Sequence, residues 1–315
     1  MSTPDGPRGE VVVPAERAGV PPGADLLACR SAAADRREVS ALGPEARDSV
    51  IGGVPCRVVG SPGRGVVVLY LHGGGYRLGT AAAYTGHAAA LSRAGGCEVV
   101  VVDYRLAPEH PFPAALRDAL AVLDALRATD PRRPVVAAGD SAGGGLAVAV
   151  AAAAAPPGAP DALALLSPWL DLSCTAETFA TAADTLFDRA AASSAAAAYL
   201  QGHDARDPLV SPLFVHAARL PPVLVQVGTE DTLLADATAA VSTWARAGVG
   251  VTLEVVAGCG HVWPVVDPHR PESTAAMSSA GRFVAGTRRR PADNAVHAEG
   301  SSRDDRGHGA DRRAR

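Results

Sequence analysis

The stretch that decides the fold is Pro134-Val135-Val136-Ala137-Ala138-Gly139-Asp140-Ser141-Ala142-Gly143, which continues into the Ala/Leu/Val-rich run from Gly144 to Ala155. The residues Pro134–Ala138 are apolar throughout, as a strand buried on both faces should be. The run after the turn carries helix-forming residues at helical spacing. Between them, Gly139-Asp140-Ser141-Ala142-Gly143 fits G-x-S-x-G, a turn so tight that its serine is strained and glycines two residues away on either side relieve the clashes. Such a turn projects a hydroxyl above a sheet at a helix N-terminus. With this Gly and Ser content about 0.2 matches arise by chance in the whole chain, so the flanking strand and helix give the motif its weight.

Outward from this turn, short Val-rich runs alternate with Ala/Leu-rich stretches. The runs are Val66–Leu71, Glu98–Val102, Pro134–Ala138, Ala162–Leu166, Val223–Val227 and Val251–Val256. The stretches Ala114–Ala128, Gly144–Ala155 and Thr232–Ala247 read as helices. This alternation implies a mostly parallel, doubly wound α/β sheet. Pro55–Val59 reads as an earlier strand, hairpinned to Val66–Leu71. Active sites of such sheets form at the carboxyl ends of the strands, so the loops there are where chemistry is sought.

His72-Gly73-Gly74-Gly75 follows Val66–Leu71, and about 0.01 such matches are expected by chance. Three successive glycines let backbone N–H groups approach a ligand without side chains in the way. Beside the serine turn, they could donate to a developing oxyanion together with the N–H of Ala142. A phosphate cradle is the poorer reading, because neither G-x-G-x-x-G nor a lysine accompanies the loop.

A serine hydroxyl needs a base. Of nine histidines, His261 in Gly258-Cys259-Gly260-His261 directly follows the last strand run. The acid that orients it should lie between Ser and His in the chain. Glu230 and Asp231, after Val223–Val227, both qualify; Asp171, after Ala162–Leu166, is a third candidate at an earlier strand end.

Composition removes other classes of chemistry. The 315 residues are 48% hydrophobic and 20% charged, enough for a sizeable core. With 29 basic against 33 acidic side chains the net charge is −4, which gives no reason to expect nucleic acid or an anionic membrane as partner. Every basic side chain is an arginine, which excludes Schiff-base lysines, a Walker lysine and a Ser–Lys dyad. The five cysteines are scattered and form no CxxC pair, so a reducing, cytoplasmic setting is expected and a zinc site is not. The start of the chain lacks the basic and long apolar segments of a signal peptide. The longest apolar run, Leu146–Ala155, is too short to span a bilayer.

The first residues are interrupted by Pro4, Pro7, Pro14, Pro21 and Pro22 and read as loose. The end from about Arg288 is polar and reads as a disordered tail, its arginines interleaved with Asp293, Asp304, Asp305 and Asp311.

Taken together, His72-Gly73-Gly74-Gly75, Asp103-Tyr104-Arg105-Leu106-Ala107-Pro108-Glu109 and Gly139-Asp140-Ser141-Ala142-Gly143-Gly144 resemble the hormone-sensitive-lipase-like family of bacterial α/β-hydrolase esterases. The likeness runs from about Gly52 to Val284. It includes His110-Pro111-Phe112-Pro113-Ala114-Ala115, Asp207-Pro208-Leu209-Val210-Ser211-Pro212 and His261-Val262-Trp263. The last two are similar to the subgroup of lactone hydrolases and acetyl-hydrolases.

The resemblance implies an α/β-hydrolase fold with about eight strands, mostly parallel, and a small helical cap. Residues 1–50 would form a loose segment and part of the cap. Residues 51–287 would form the hydrolase domain, with a cap insertion at about 173–205, and 288–315 the tail. It implies Ser141 as nucleophile, His261 as base and Asp231 as acid, since the family's acid is followed by x-Leu as in Asp231-Thr232-Leu233. It implies Gly73, Gly74 and Ala142 as oxyanion donors, and no metal or organic cofactor. Tyr76, Trp169, Phe179, Phe187, Phe214 and Trp263 are candidates to line an apolar substrate pocket. The expected reaction is hydrolysis of small carboxylic esters, with N-acetyl amides or lactones as the alternative bond; a non-catalytic ligand-binding protein is the reading from another class. Partners are small molecules, and a homo-oligomer is compatible with the sequence.

Overall fold

The computed structural model describes residues 26, 30, 46–60, 65–183 and 186–287. The tail at 288–315 and most of the N-terminal segment expected to be loose lie outside the described residues. Eight strands form one sheet: β1 (Arg47–Ile51), β2 (Val54–Val59), β3 (Val67–Leu71), β4 (Glu98–Val102), β5 (Val135–Asp140), β6 (Ala162–Leu166), β7 (Val223–Gly228) and β8 (Val251–Val256). Their order is β1-β2-β4-β3-β5-β6-β7-β8. The five pairings from β4 through β3, β5, β6 and β7 to β8 are parallel, and β2 runs antiparallel to both of its neighbours.

The hairpin is a correction. β2 turns back on β1 through Gly52 and Gly53, pairing Ile51 with Val54, and its other neighbour is β4. β4 separates it from β3. Most of β1 falls within the first 50 residues, inside the segment expected to be loose.

The strands carry period-two burial. In β3, Val67, Leu69 and Leu71 enter the core on one face, and Val68 and Tyr70 that on the other. One face is covered by α2 (Ala114–Thr129), α3 (Ala142–Ala153) and α6 (Leu234–Arg246), the other by α1 (Thr85–Gly95) and α8 (Pro271–Gly286). α3 is buried all round from Ala142 to Ala151, the position of a helix at the centre of a doubly wound sheet.

The expected cap insertion contains α4 (Thr178–Thr181) and α5 (Arg189–Leu200). Asp188 caps α5 by accepting the Ala191 N–H, which removes one of its orphan donors. The buried Ala192, Ala195 and Tyr199 turn α5 onto the main core. Among the described residues, no helix is long and apolar enough to cross a membrane.

Candidate active site

Ser141 stands between β5 and α3 with φ 51° and ψ −121°, a region that a non-glycine residue enters only under constraint. A Cβ on Gly139 would lie 2.4 Å from the Gly143 carbonyl oxygen, and one on Gly143 would lie 1.9 Å from that of Leu71. Both glycines are therefore required by packing of backbone on backbone, and the serine is pressed into its strained turn.

The three expected catalytic side chains meet. Nε2 of His261 lies 2.9 Å from Oγ of Ser141. Nδ1 of His261 lies 3.2 and 3.3 Å from the two carboxylate oxygens of Asp231. They come from the carboxyl ends of β5, β7 and β8 and are all buried. Asp231 also accepts the N–H of Leu233 at 2.9 Å. Burial pushes its carboxyl upward, but the charge of His261 and hydrogen bonds from His261, Ser167 and the Leu233 N–H outweigh this and hold it below the usual carboxylate range. The other two acid candidates are placed differently. Glu230 is exposed. The carboxylate of Asp171 accepts from the N–H and hydroxyl of Ser173.

The glycine loop is built differently from expectation. The N–H of Gly73 donates to Oδ1 of Asp140 at 3.0 Å and to the Tyr84 hydroxyl at 3.1 Å. It is consumed by the protein and is not an oxyanion donor, which corrects the assignment to Gly73. Gly74 and Gly75 have φ of 117° and 60°, conformations that suit glycine. Among the described residues the N–H groups of Gly74, Gly75 and Ala142 donate to no protein acceptor. The sequence reading did not single out Gly75, since which amide of the loop the protein itself uses depends on those dihedrals.

Asp140 is the second feature missed, although it lies inside the serine motif. Its carboxylate takes hydrogen bonds from the Tyr70 hydroxyl at 2.9 Å, the Tyr84 hydroxyl at 2.8 Å and Gly73. Complete burial pushes it up to about 6, against the lowering effect of these donors. The motif Asp103–Glu109 has a similar supporting part. Tyr104 donates to the His72 carbonyl at 2.6 Å and stacks on its ring, and the Ala107 N–H donates to the Tyr76 carbonyl at 2.8 Å. Arg30 chelates Glu109 at 2.7 and 2.8 Å and donates to the carbonyls of Arg77 and Ala107. Arg77 donates to Ser194 on α5 at 3.0 Å.

The aromatic candidates divide. Tyr76 stacks on Tyr199 of α5 at 3.8 Å and lies 6.2 Å from Trp169. Trp169 meets Phe187 edge-on at 5.1 Å, Phe179 lies 6.4 Å from Phe187, and Phe187 stacks on the His261 ring at 5.3 Å. A row of rings thus runs from the cap to the imidazole. Trp263 sits instead in a separate core cluster with Leu166, Cys259 and Ala276, which corrects it to a packing residue. Phe214 is 38% exposed and carries the Arg206 guanidinium over its ring, outside that row. Among the described residues, no group of three or more His, Cys, Asp or Glu side chains could hold a metal ion.

A serine, an imidazole and a carboxylate within hydrogen-bond reach of one another can perform acyl transfer, and comparison with known proteins shows the family. Residues 68–265 match the family model described as an alpha/beta hydrolase fold. An acetyl-hydrolase of Streptomyces hygroscopicus is 42% identical over 226 residues, 70% of this chain and 75% of that protein. An esterase of the bacterial hormone-sensitive lipase family superposes with a TM-score of 0.79 at 39% identity, covering 87% of this chain and 95% of that one.

The chain belongs to the hormone-sensitive-lipase-like esterases of the α/β-hydrolase fold.

Among other esterases of known structure, EstE5, soaked by p-nitrophenyl butyrate, matches with a TM-score of 0.78 at 34% identity, covering 87% of this chain and 95% of that one. The family resemblance drawn from the glycine loop, the Asp103–Glu109 segment and the serine turn is borne out. In a hormone-sensitive-lipase-like frame, those three motifs form one hydrogen-bonded unit around Asp140 and His72.

Proposed function

We propose that this chain, an ester-hydrolysing enzyme of the α/β-hydrolase fold family, cleaves small carboxylic esters of short to medium acyl length through a Ser141–His261–Asp231 triad. The observation that carries the reading is the 2.9 Å approach of His261 Nε2 to Ser141 Oγ with Asp231 behind the ring. His261 removes the hydroxyl proton as Ser141 attacks the ester carbonyl. The oxyanion that forms receives N–H groups from Gly74, Gly75 and Ala142, the last at the N-terminus of α3, where the helix dipole adds to the field. His261 then gives its proton to the leaving alcohol, and water enters by the same route to release the acid. Asp231, ionised, holds the imidazole with Nδ1–H toward itself and offsets the cation that forms.

Phe187 and the ring row beyond it offer an apolar wall beside the imidazole, suited to an uncharged acyl or alkoxy group. The acetyl-hydrolase relative makes an acetyl group the first acyl chain to test. Amide and lactone carbonyls would meet the same donors, so they belong in the same assay. The buried free cysteines Cys56, Cys97, Cys174 and Cys259 fit work in a reducing compartment, and the cytoplasm is the proposed location.

The test is a panel of p-nitrophenyl esters of increasing acyl length, with one N-acetyl amide and one lactone, against a Ser141→Ala control. Turnover of short esters that disappears in the control supports the reading. Full turnover in the control, or none by folded wild-type protein on any ester, sinks it.

A further inference from the structure

We propose that Ser167 is a positioning residue for hydrolysis, its hydroxyl oxygen holding the loop that carries His261. The inference rests on the triad proposed above. Ser167 follows β6 and is wholly buried. Its Oγ accepts the N–H of Val262 at 3.1 Å, and Ser167 is one of the groups that lower the buried Asp231 carboxyl.

Val262 directly follows His261 and is itself left-handed, with φ 46°. Fixing its N–H fixes the approach of the imidazole. The backbone of the same segment holds the nucleophile. The Ser141 N–H donates to the Leu166 carbonyl at 3.0 Å, and the Trp169 N–H donates to the Ser141 carbonyl at 2.9 Å. Leu166, Ser167 and Trp169 thus hold the loops of Ser141 and His261.

The backbone argues that the hydroxyl is what matters at this position. Ser167 has φ 46°, a conformation that glycine adopts without the steric cost a Cβ brings. A serine there forgoes conformational ease, and what it supplies in exchange is its Oγ.

Ser167→Gly suits the backbone and removes the hydroxyl; Ser167→Ala removes it and keeps the Cβ. With p-nitrophenyl acetate, both should lose about ten- to a hundredfold in kcat with KM within about twofold, as when an outer partner of a reacting group is deleted. The melting temperature of the glycine variant should stay at or above that of wild type. In an Asp231→Asn background the same substitution should cost less than about threefold, because the imidazole that Ser167 helps to place has already lost its orienting acid. Wild-type kcat in both variants overturns the proposal. So does an equal fold-loss in the two backgrounds, the mark of a merely structural role. Wild-type protein without Ser141-dependent hydrolysis overturns the triad and this inference together, whereas active wild-type protein with neutral Ser167 variants overturns this inference alone.

Discussion

The backbone N–H of Gly73 donates to the Asp140 carboxylate, and Asp140 is the residue immediately before the candidate nucleophile. The glycine loop after β3 and the serine turn after β5 are therefore locked in register by one buried carboxylate, which Tyr70 and Tyr84 also hold. With Gly73 consumed, the N–H groups of Gly74 and Gly75 are the amides of this loop left without a protein acceptor among the described residues. A Cβ on Gly73 would come within 2.3 Å of Asp140 Oδ2, so the loop and the carboxylate fit only if this residue is glycine.

Asp140→Asn should lower kcat on a short ester by about ten- to a hundredfold, in the range seen when oxyanion donors lose their alignment. KM should change little. Affinity for an alkyl boronic acid, which mimics the tetrahedral oxyanion, should fall in step with kcat. Tyr84→Phe removes one donor to the same carboxylate and should give a smaller loss of the same kind. An Asp140→Asn enzyme with unchanged kcat and unchanged boronate affinity would refute the clamp.

The triad itself makes a graded prediction. Ser141→Ala and His261→Ala should lower kcat by about 10⁴- to 10⁶-fold, and Asp231→Asn by about 10⁴-fold. Glu230→Gln, at an exposed position beside the acid, should stay within about twofold of wild type. Steady-state kinetics on p-nitrophenyl butyrate checks all four. Greater damage from Glu230→Gln than from Asp231→Asn would show that the acid has been misassigned.

The central strands and the serine turn were legible because parallel strands buried on both faces leave continuous apolar runs, and strand-end loops then hold few candidate residues. β1 left no such run: Arg47-Asp48-Ser49-Val50-Ile51 lies at the sheet edge with three exposed positions, so half of its residues need not be apolar. The partner of β2 was misread because an apolar run records burial and says nothing about which strand lies alongside. His261 stood out by its place after β8, whereas the place after β7 left Glu230 and Asp231 both open and the family resemblance chose between them. Which amide of the glycine loop Asp140 takes was not legible, because the direction of an amide follows from φ values that Gly-Gly-Gly leaves open. Ser167 was hidden for a related reason, since a serine before proline looks like any turn until its partners are known. Trp263 shows the reverse error: proximity to His261 in the chain did not prevent its ring from packing into a separate cluster.

Gly143 offers a stability test of the turn. A methyl group there would meet the Leu71 and His72 carbonyl oxygens at 1.9 and 2.5 Å. These are backbone atoms of β3 and its loop, which cannot rotate away as a side chain would. Gly143→Ala should cost about 3 kcal/mol or more of unfolding free energy, or prevent folding. Gly286→Ala, at the end of α8 with nothing within 4 Å of the added methyl, should be neutral or gain up to about 1 kcal/mol. Urea denaturation of the two variants compares them directly, and similar stabilities would mean that the elbow is not closed by backbone contact.

Asp236 carries a pH prediction. It lies in the first turn of α6, buried, with Oδ2 lacking a hydrogen-bond partner among the described residues. Burial, and then the nearby Asp171 charge, push its carboxyl up to about 7 from a usual 3.8. Between those values the folded chain keeps a proton that the unfolded chain has released. Unfolded protein thus binds fewer protons in this window, and stability must fall as pH rises through it. With each tenfold change in proton affinity worth about 1.4 kcal/mol, the whole effect is of the order of 4 kcal/mol between about pH 4 and 8. Asp236→Asn cannot ionise, so its stability curve should lack this decline, and the variant should gain on wild type as the solution is taken from mildly acidic to mildly alkaline. Urea midpoints of both proteins at half-unit pH intervals would measure the difference. A wild-type-minus-variant difference that is flat across the window would mean that Asp236 ionises in the folded protein as it does in the unfolded chain.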